Sequence, residues 1–131
     1  MKEMPSLELS PDPDSPGLAR RFVTRVLREW NVGISTIEDA ALLATELVTN
    51  AVIHARTPIR LDIGLEGDMI RVAVSDSDAG RPVLRQQNRE ASTGRGLYVL
   101  DQLAADWEVI YGDGSKTVTF SLAAGGLGAS R

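Results

Sequence analysis

The segment Glu46-Leu47-Val48-Thr49-Asn50-Ala51-Val52-Ile53-His54-Ala55 holds the most informative pattern of this 131-residue sequence. It closes a stretch without proline or glycine that starts with a capping box at Ser35, which predicts one long helix from Ser35 to Ala55. The polar residues at 46, 50 and 54 recur every four positions and therefore share one side of that helix. No lysine or arginine accompanies them. We infer that Glu46 and Asn50 line a cleft and do not face open water.

Apolar periodicity on either side of this helix predicts an α+β fold. Apolar residues recur every four positions from Leu18 to Trp30, which predicts an earlier amphipathic helix that Ser15 caps. Period-two alternation predicts a short strand before it and two hairpins, over residues 59–76 and 107–122. We expect a two-layer α/β sandwich, in which helices cover one face of a mixed, mostly antiparallel sheet.

Composition is that of a globular domain. Hydrophobic residues make up 43% of the chain and charged residues 24%, close to the average of folded domains. We expect a single domain over residues 1–131, with its core at about 15–122 and a flexible Gly/Ala/Ser-rich tail at 123–131. The sequence has no cysteine and one histidine, which excludes disulfides, thiolate metal sites and multi-histidine metal cages.

Net charge and hydropathy limit the classes of molecule that the chain is expected to bind. The net charge is −4 and only six residues are aromatic, so direct nucleic-acid binding is not expected. No apolar run is long enough to span a bilayer, and the first residues contain no apolar signal segment. The expected location is therefore the cytoplasm, without membrane contact.

Three further features accompany the helix that carries Glu46. Asp76 ends a strand on its buried side, where a carboxylate needs a hydrogen-bond donor such as the exocyclic amine of adenine. A long polar loop follows, and Gly94-Arg95-Gly96 then opens a predicted helix, whose backbone N–H groups can approach phosphates. An amide and a carboxylate four residues apart on a helix can hold a hydrated Mg²⁺. Together these features predict an ATP site without a P-loop lysine.

Each feature taken alone has an ordinary structural explanation. A single glutamate on a helix is more often a surface or capping residue, and Asn50 can bond locally to the backbone. His54 near a helix C-terminus interacts favourably with the helix dipole. Asp76 and the glycines are common turn residues. The case for a nucleotide site therefore rests on the combination and its order along the chain.

The motifs together resemble those of the Bergerat-fold ATPases, the GHKL superfamily, over about residues 15–122. Residues 46–55 resemble the N-box, and residues 76–80, Asp-Ser-Asp-Ala-Gly, resemble the Asp-x-Gly-x-Gly box. Residues 94–97 resemble the second glycine box, and residues 114–120 resemble the motif of the final strand. Within this superfamily the chain looks like the stand-alone anti-sigma-factor serine kinases, which share a short lid and an arginine-rich first helix.

The resemblance implies a role for each motif residue. Glu46 would be the general base that activates a protein serine hydroxyl, and Asn50 would bind Mg²⁺. Asp76 would recognise adenine, helped by Thr117 through a water molecule. The residues expected around the phosphates are Gly80, Gly94, Arg95 and Gly96. In the lid, at about 81–93, Arg85 and Arg89 would neutralise charge on the γ-phosphate.

The implied function is that of a Mg·ATP-dependent protein serine kinase. Its substrate would be a small anti-sigma-factor antagonist, a sigma factor would be a further partner, and a homodimer would be in keeping with other family members. Asp78 stands where the glycine box has glycine, and an added carboxylate near ATP favours a second interpretation: a weak or inactive switch that acts only by docking partners. A third interpretation is a hydrolase that uses Glu46 and His54, although the chain offers it no nucleophile and no metal cage.

Overall fold

The computed structural model describes residues 4–77, 102–112 and 114–125 of the chain. Two helices, α1 (Ser15–Glu29) and α2 (Ile34–Asn50), are present, and a π-helical turn (Ala51–Ala55) continues α2. The five strands are β1 (Ser6–Leu9), β2 (Ile59–Glu66), β3 (Met69–Asp76), β4 (Asp106–Gly112) and β5 (Ser115–Ala123). Of the helix predicted to open at Gly94, only Gln102 and Leu103 are described; both are helical, and Leu103 packs against the core.

The strands form one sheet in the order β1-β2-β3-β5-β4, and every pairing among the described strands is antiparallel. Alternation decides which side of each strand is buried. Both hairpins predicted from the alternation are present, as β2–β3 and β4–β5. The apolar side chains of one face, among them Leu61, Val72 and Phe120, are fully buried.

The two helices lie on that apolar face. α2 packs across β3 and β5, and α1 packs against α2 and β1. The core is built from the buried stripes of both helices, including Val23, Leu27, Leu43 and Val48, and from the apolar face of the sheet. The predicted two-layer α+β architecture is confirmed.

The helix starts differ from the sequence prediction. α1 has Asp14 at its N-cap, without a side-chain cap bond, while Ser15 lies inside the first turn and is buried. The Ser15 hydroxyl donates a hydrogen bond to the carbonyl of Ser10. α2 starts at Ile34 with Gly33 as its N-cap, so the capping box predicted at Ser35 is wrong.

Contacts with the end of β5 and the residue after it explain the start of α2. The N–H of Gly33 donates to the carbonyl of Ala124 at 3.2 Å, and the Thr36 hydroxyl donates to the carbonyl of Ala123 at 3.1 Å. The N–H of Ala124 in turn donates to the carbonyl of Asp68 at 2.7 Å. The tail prediction therefore begins too early: residues 123–125 are tied into the fold, and residues 126–131 lie outside the described part.

Candidate functional site

On α2, the polar residues predicted to share one side of the helix lie next to the side that packs in the core. Glu46 and Asn50 are both half-buried, whereas Leu47 and Val48 between them are buried in the core. Burial of the neighbouring residues fixes the rotation of the helix. Glu46 and Asn50 therefore share a border of the helix between core and solvent, which is where the sequence predicted a cleft.

Two threonine side chains form hydrogen bonds with backbone carbonyls of α2 near Glu46 and Asn50. The Thr45 hydroxyl donates to the carbonyl of Ala41, and the Thr49 hydroxyl donates to the carbonyl of Thr45, each at 2.7 Å. Such bonds add a second donor to a carbonyl that already accepts within the helix, which bends and loosens the helix slightly.

The helix widens directly after Asn50. The N–H of Arg56 donates to the carbonyl of Ala51 at 3.1 Å, five residues earlier, which is the bond of a π-helical turn. Arg56 then adopts a left-handed conformation with φ of 59° and reverses the chain toward β2. Turns of this kind occur frequently at functional sites. Here the turn immediately follows the residue predicted to bind Mg²⁺.

Asp76 is buried at the end of β3, with 4% of its surface exposed. Its Cα pairs with Ile59 on one side and with Lys116 on the other, and Lys116 pairs with Tyr111. These four residues form one row across the sheet, and their side chains lie on the face that the helices cover. Asp76, Lys116 and Tyr111 thus add charged and polar groups beside buried Ile59 at this end of an otherwise apolar face.

The end of α2 and the end of β3 lie at the same end of the molecule. The segment that leaves the π-helical turn enters β2 at Ile59, the partner of Asp76. The Thr57 hydroxyl also accepts a hydrogen bond from the N–H of Ser77 at 3.0 Å. Two connections therefore hold the Asp76 end of β3 beside the segment that follows Asn50.

The structure does not place Thr117 beside Asp76. Thr117 pairs with Ser75, and their hydroxyl oxygens lie 3.0 Å apart on the sheet face opposite the helices. The residue on the helix side next to Asp76 is Lys116, which is half-buried. Its parity with the apolar Val118 and Phe120 was the signal in the sequence that pointed to this position.

His54 lies in the π-helical turn and is exposed, whereas Glu46, about two turns earlier, is half-buried. The structure thus gives the two side chains different surroundings.

Comparison with known proteins identifies the family. A family model described as a histidine kinase-like ATPase domain matches residues 9–122. This chain belongs to that family. The resemblance stated from the sequence motifs is confirmed. No curated protein gives a significant match to the chain.

Solved structures share the fold of this histidine kinase-like ATPase domain. One is the structure of the RsbU and RsbW domains of Rv1364c from Mycobacterium tuberculosis, with a TM-score of 0.69 and 23% identity. That match covers 91% of this chain and 32% of the other. Another is the histidine kinase domain of the blue-light activated histidine kinase EL346 from Erythrobacter litoralis, with a TM-score of 0.57 and 18% identity, over 83% of this chain and 59% of the other. The chain therefore spans a third to three-fifths of the length of these two structures.

The family supports kinase or ATPase chemistry, because its domains bind ATP, usually with Mg²⁺. The described residues fit both groups. The buried carboxylate of Asp76 at a strand end suits an amine of a nucleobase. In the described ranges, no cluster of three or more histidine, aspartate or glutamate residues could hold a metal ion. A Mg²⁺ at Asn50 would therefore be held together with phosphate oxygens, as is usual for this ion.

Several predicted site residues lie outside the described residues: Asp78, Gly80, Arg85, Arg89, Gly94, Arg95 and Gly96. Their roles stay predictions. Among residues 4–77, 102–112 and 114–125, no helix is long and apolar enough to cross a membrane.

Proposed function

We propose that this histidine kinase-like ATPase domain is a Mg·ATP-dependent protein serine kinase of the anti-sigma-factor type. Its substrate is a serine of a small anti-sigma-factor antagonist, and a sigma factor is a second partner, which places its activity in the cytoplasm. The fold it shares with a protein that contains an RsbW domain supports this choice. The observation that carries the proposal is the placement of Glu46 and Asn50 on one border of α2, at the same end of the molecule as buried Asp76.

Asp76, Asn50 and Glu46 each have a different role in the proposed reaction. Asp76 accepts a hydrogen bond from the adenine amine and thereby fixes the orientation of the nucleotide. Asn50 offers its amide oxygen to Mg²⁺, and Glu46, one turn earlier, accepts the proton of the attacking serine hydroxyl. Bound ATP would supply the γ-phosphoryl group: the serine oxygen bonds to the γ-phosphorus, the bond from that phosphorus to the bridging oxygen breaks, and ADP leaves. Phosphoryl transfer depends mainly on positioning and charge stabilisation, which residues fixed between core and solvent can provide.

The first test is a calorimetric titration of ATP into the protein, with and without Mg²⁺. The proposal expects binding that strengthens with Mg²⁺, and Asn50→Ala should remove most of this Mg²⁺ dependence. Asp76→Ala should weaken ATP binding at least about tenfold, because it removes the only proposed contact that recognises the base. Unchanged affinity in Asp76→Ala would refute its role in base recognition.

The second test separates binding from transfer. Glu46→Ala should bind ATP normally and lose the ability to place labelled phosphate on serine in a panel of purified anti-sigma-factor antagonists. Glu108→Ala, an exposed glutamate on the edge strand β4, is the matched control and should keep full activity. Phosphoserine formation by Glu46→Ala at the rate of the control would contradict the general-base assignment.

The departure from glycine at Asp78 supports a second candidate, a docking switch that binds nucleotide weakly or not at all. The two candidates differ in the same two assays. The switch interpretation expects no ATP binding at millimolar nucleotide and no phosphoserine, while partner proteins still bind. Restoration of ATP binding by Asp78→Gly would identify the added carboxylate as the cause.

A further inference from the structure

A groove runs between α1 and α2 on their outer side, away from the sheet. It encloses about 490 Å³. Arg20, Thr24 and Arg28 of α1 line one wall, and Ile34, Leu42 and Thr45 of α2 line the other. None of these residues belongs to the candidate nucleotide site.

The α1 wall is strongly basic in a protein of net charge −4. Arg20 and Arg28 lie on one stripe of the helix, and Arg21 and Arg25 lie on the next. All four are exposed, and the ion pairs between described residues involve other arginines, Arg60 and Arg71. None of the four forms an ion pair with a carboxylate of the described residues, although Glu29 and Glu38 lie nearby, so the α1 wall keeps an excess of positive charge.

The α2 wall is apolar and exposed. Ile34 is 73% exposed and Leu42 is 44% exposed, and they lie two turns apart on the same side of the helix. Val32 and Ile37 form a buried floor between the two walls. Together with this floor, Ile34 and Leu42 offer a partner an apolar surface inside the groove.

We propose that this groove binds an acidic amphipathic helix of a partner protein. An amphipathic helix can place its apolar side against Ile34 and Leu42 while its acidic side faces the arginines of α1. The charge complementarity accelerates association and selects acidic partners. A nucleic-acid backbone fits less well, because the groove also holds the carboxylate of Glu38 and an apolar wall that phosphates do not contact favourably.

This inference deepens the proposed function and rests on it only in taking the partner to be a regulatory protein. α2 carries both the groove wall and the candidate catalytic residue, and Leu42 lies one turn before Glu46. A helix docked on Leu42 therefore holds its own protein close to the site where a serine would react.

The test uses the full chain, labelled with ¹⁵N and free of nucleotide. The probe is a synthetic helical peptide with glutamates along one side and leucines at the i, i+3, i+4 and i+7 positions. We expect saturable amide shifts confined to residues 20–28 and 32–45. Because the attraction is electrostatic, raising NaCl from about 0.05 to 0.3 M should weaken binding about fivefold.

Two double variants of equal net charge localise the contact. Arg20→Ala with Arg28→Ala should weaken peptide binding about tenfold, while Arg60→Ala with Arg71→Ala should leave it unchanged. Leu42→Asp should also abolish binding, since it places a charge in the apolar wall. Equal losses in both double variants, equal binding of a scrambled peptide, or shifts outside the groove would overturn the proposal.

Other occupants are distinguished by the same spectra. Shifts that appear when the protein is concentrated without peptide would assign the groove to a second copy of the chain. Shifts with a DNA duplex but not with the peptide would assign it to nucleic acid. Either result overturns the acidic-helix proposal. The peptide titration contains no nucleotide, so its result does not depend on whether the protein binds ATP or phosphorylates a partner. A failed peptide titration likewise leaves the proposed ATP site and kinase activity untouched.

Discussion

Replacing Gly33 with alanine tests the contact between the start of α2 and the end of β5. A Cβ atom at residue 33 would lie 2.1 Å from the carbonyl oxygen of Gly125 and 3.1 Å from its carbonyl carbon. The backbone of Gly33 has φ of −62° and ψ of 146°, which alanine adopts without strain. In the folded state, the cost of the substitution therefore comes from the displaced segment at 123–125.

The magnitude follows from the bonds that hold this segment. Displacing it breaks two hydrogen bonds, from the Gly33 N–H to Ala124 and from the Thr36 hydroxyl to Ala123. Each contributes about 0.5–1.5 kcal/mol net. Alanine lowers the entropy of the unfolded chain and returns about 0.4–1 kcal/mol. We expect Gly33→Ala to lower the free energy of unfolding by about 1 kcal/mol, a drop in Tm of about 3–5 °C.

Urea unfolding and a thermal melt measure this change, and Gly17→Ala is the matched control. A Cβ at Gly17, inside the first turn of α1, would meet only the end of the Arg21 side chain at 3.9 Å. Gly17→Ala should therefore stabilise the protein, by about 0.5 kcal/mol. The two Gly→Ala substitutions thus have opposite signs. A Gly33→Ala protein as stable as the wild type, with an amide at residue 33 equally protected from exchange, would refute the contact.

Two further predictions concern the core and the sheet face. Phe120→Ala should lower the free energy of unfolding by about 3–5 kcal/mol with an unchanged urea m-value, because the side chain is completely buried; a loss under about 1 kcal/mol would show that the site collapses or is not packed as described. Thr117→Val should cost about 1 kcal/mol of stability, since it removes the hydrogen bond with Ser75. The same variant should leave ATP affinity unchanged in calorimetry, and a tenfold weaker affinity would show that Thr117 contributes to the nucleotide site after all.

Local patterns predicted the elements of the fold well. Alternation along residues 59–76 and 107–122 predicts which side chains face the core, because a half-buried sheet leaves no other arrangement of its apolar residues. Four-residue periodicity predicts both helices for the same reason. The start of α2 was not predictable, because Thr36 bonds to Ala123, 87 residues away, and not to a neighbour in its own first turn. Such a tertiary partner has no local signature.

The positions of the described candidate site residues in the fold were predictable to a similar limit. The spacing of Glu46 and Asn50 and the position of Asp76 at a strand end follow from local geometry alone, and the structure places them at one end of the molecule. The π-helical turn after Asn50 was not predictable, since its sequence, Ala51–Ala55, is compatible with an ordinary α-helix. The motif grouped Thr117 with Asp76 because a motif defines residue types, whereas strand parity puts Lys116 on the face of Asp76.

The sheet order has a consequence for the protein while it is being synthesised. β2 and β3 are joined by a tight turn and pair as soon as both exist, but the other neighbour of β3 is β5, whose Lys116 lies 40 residues after Asp76. At about 5–20 residues per second, a ribosome takes about 2–8 s to add those residues. During this interval β3 has no β5 to pair with, and its apolar side chains, including Val72 and Val74, lack the cover of Phe120 and Val118. An unpaired edge of this kind attracts strands of other chains, so the yield of folded protein should depend on how quickly translation reaches β5.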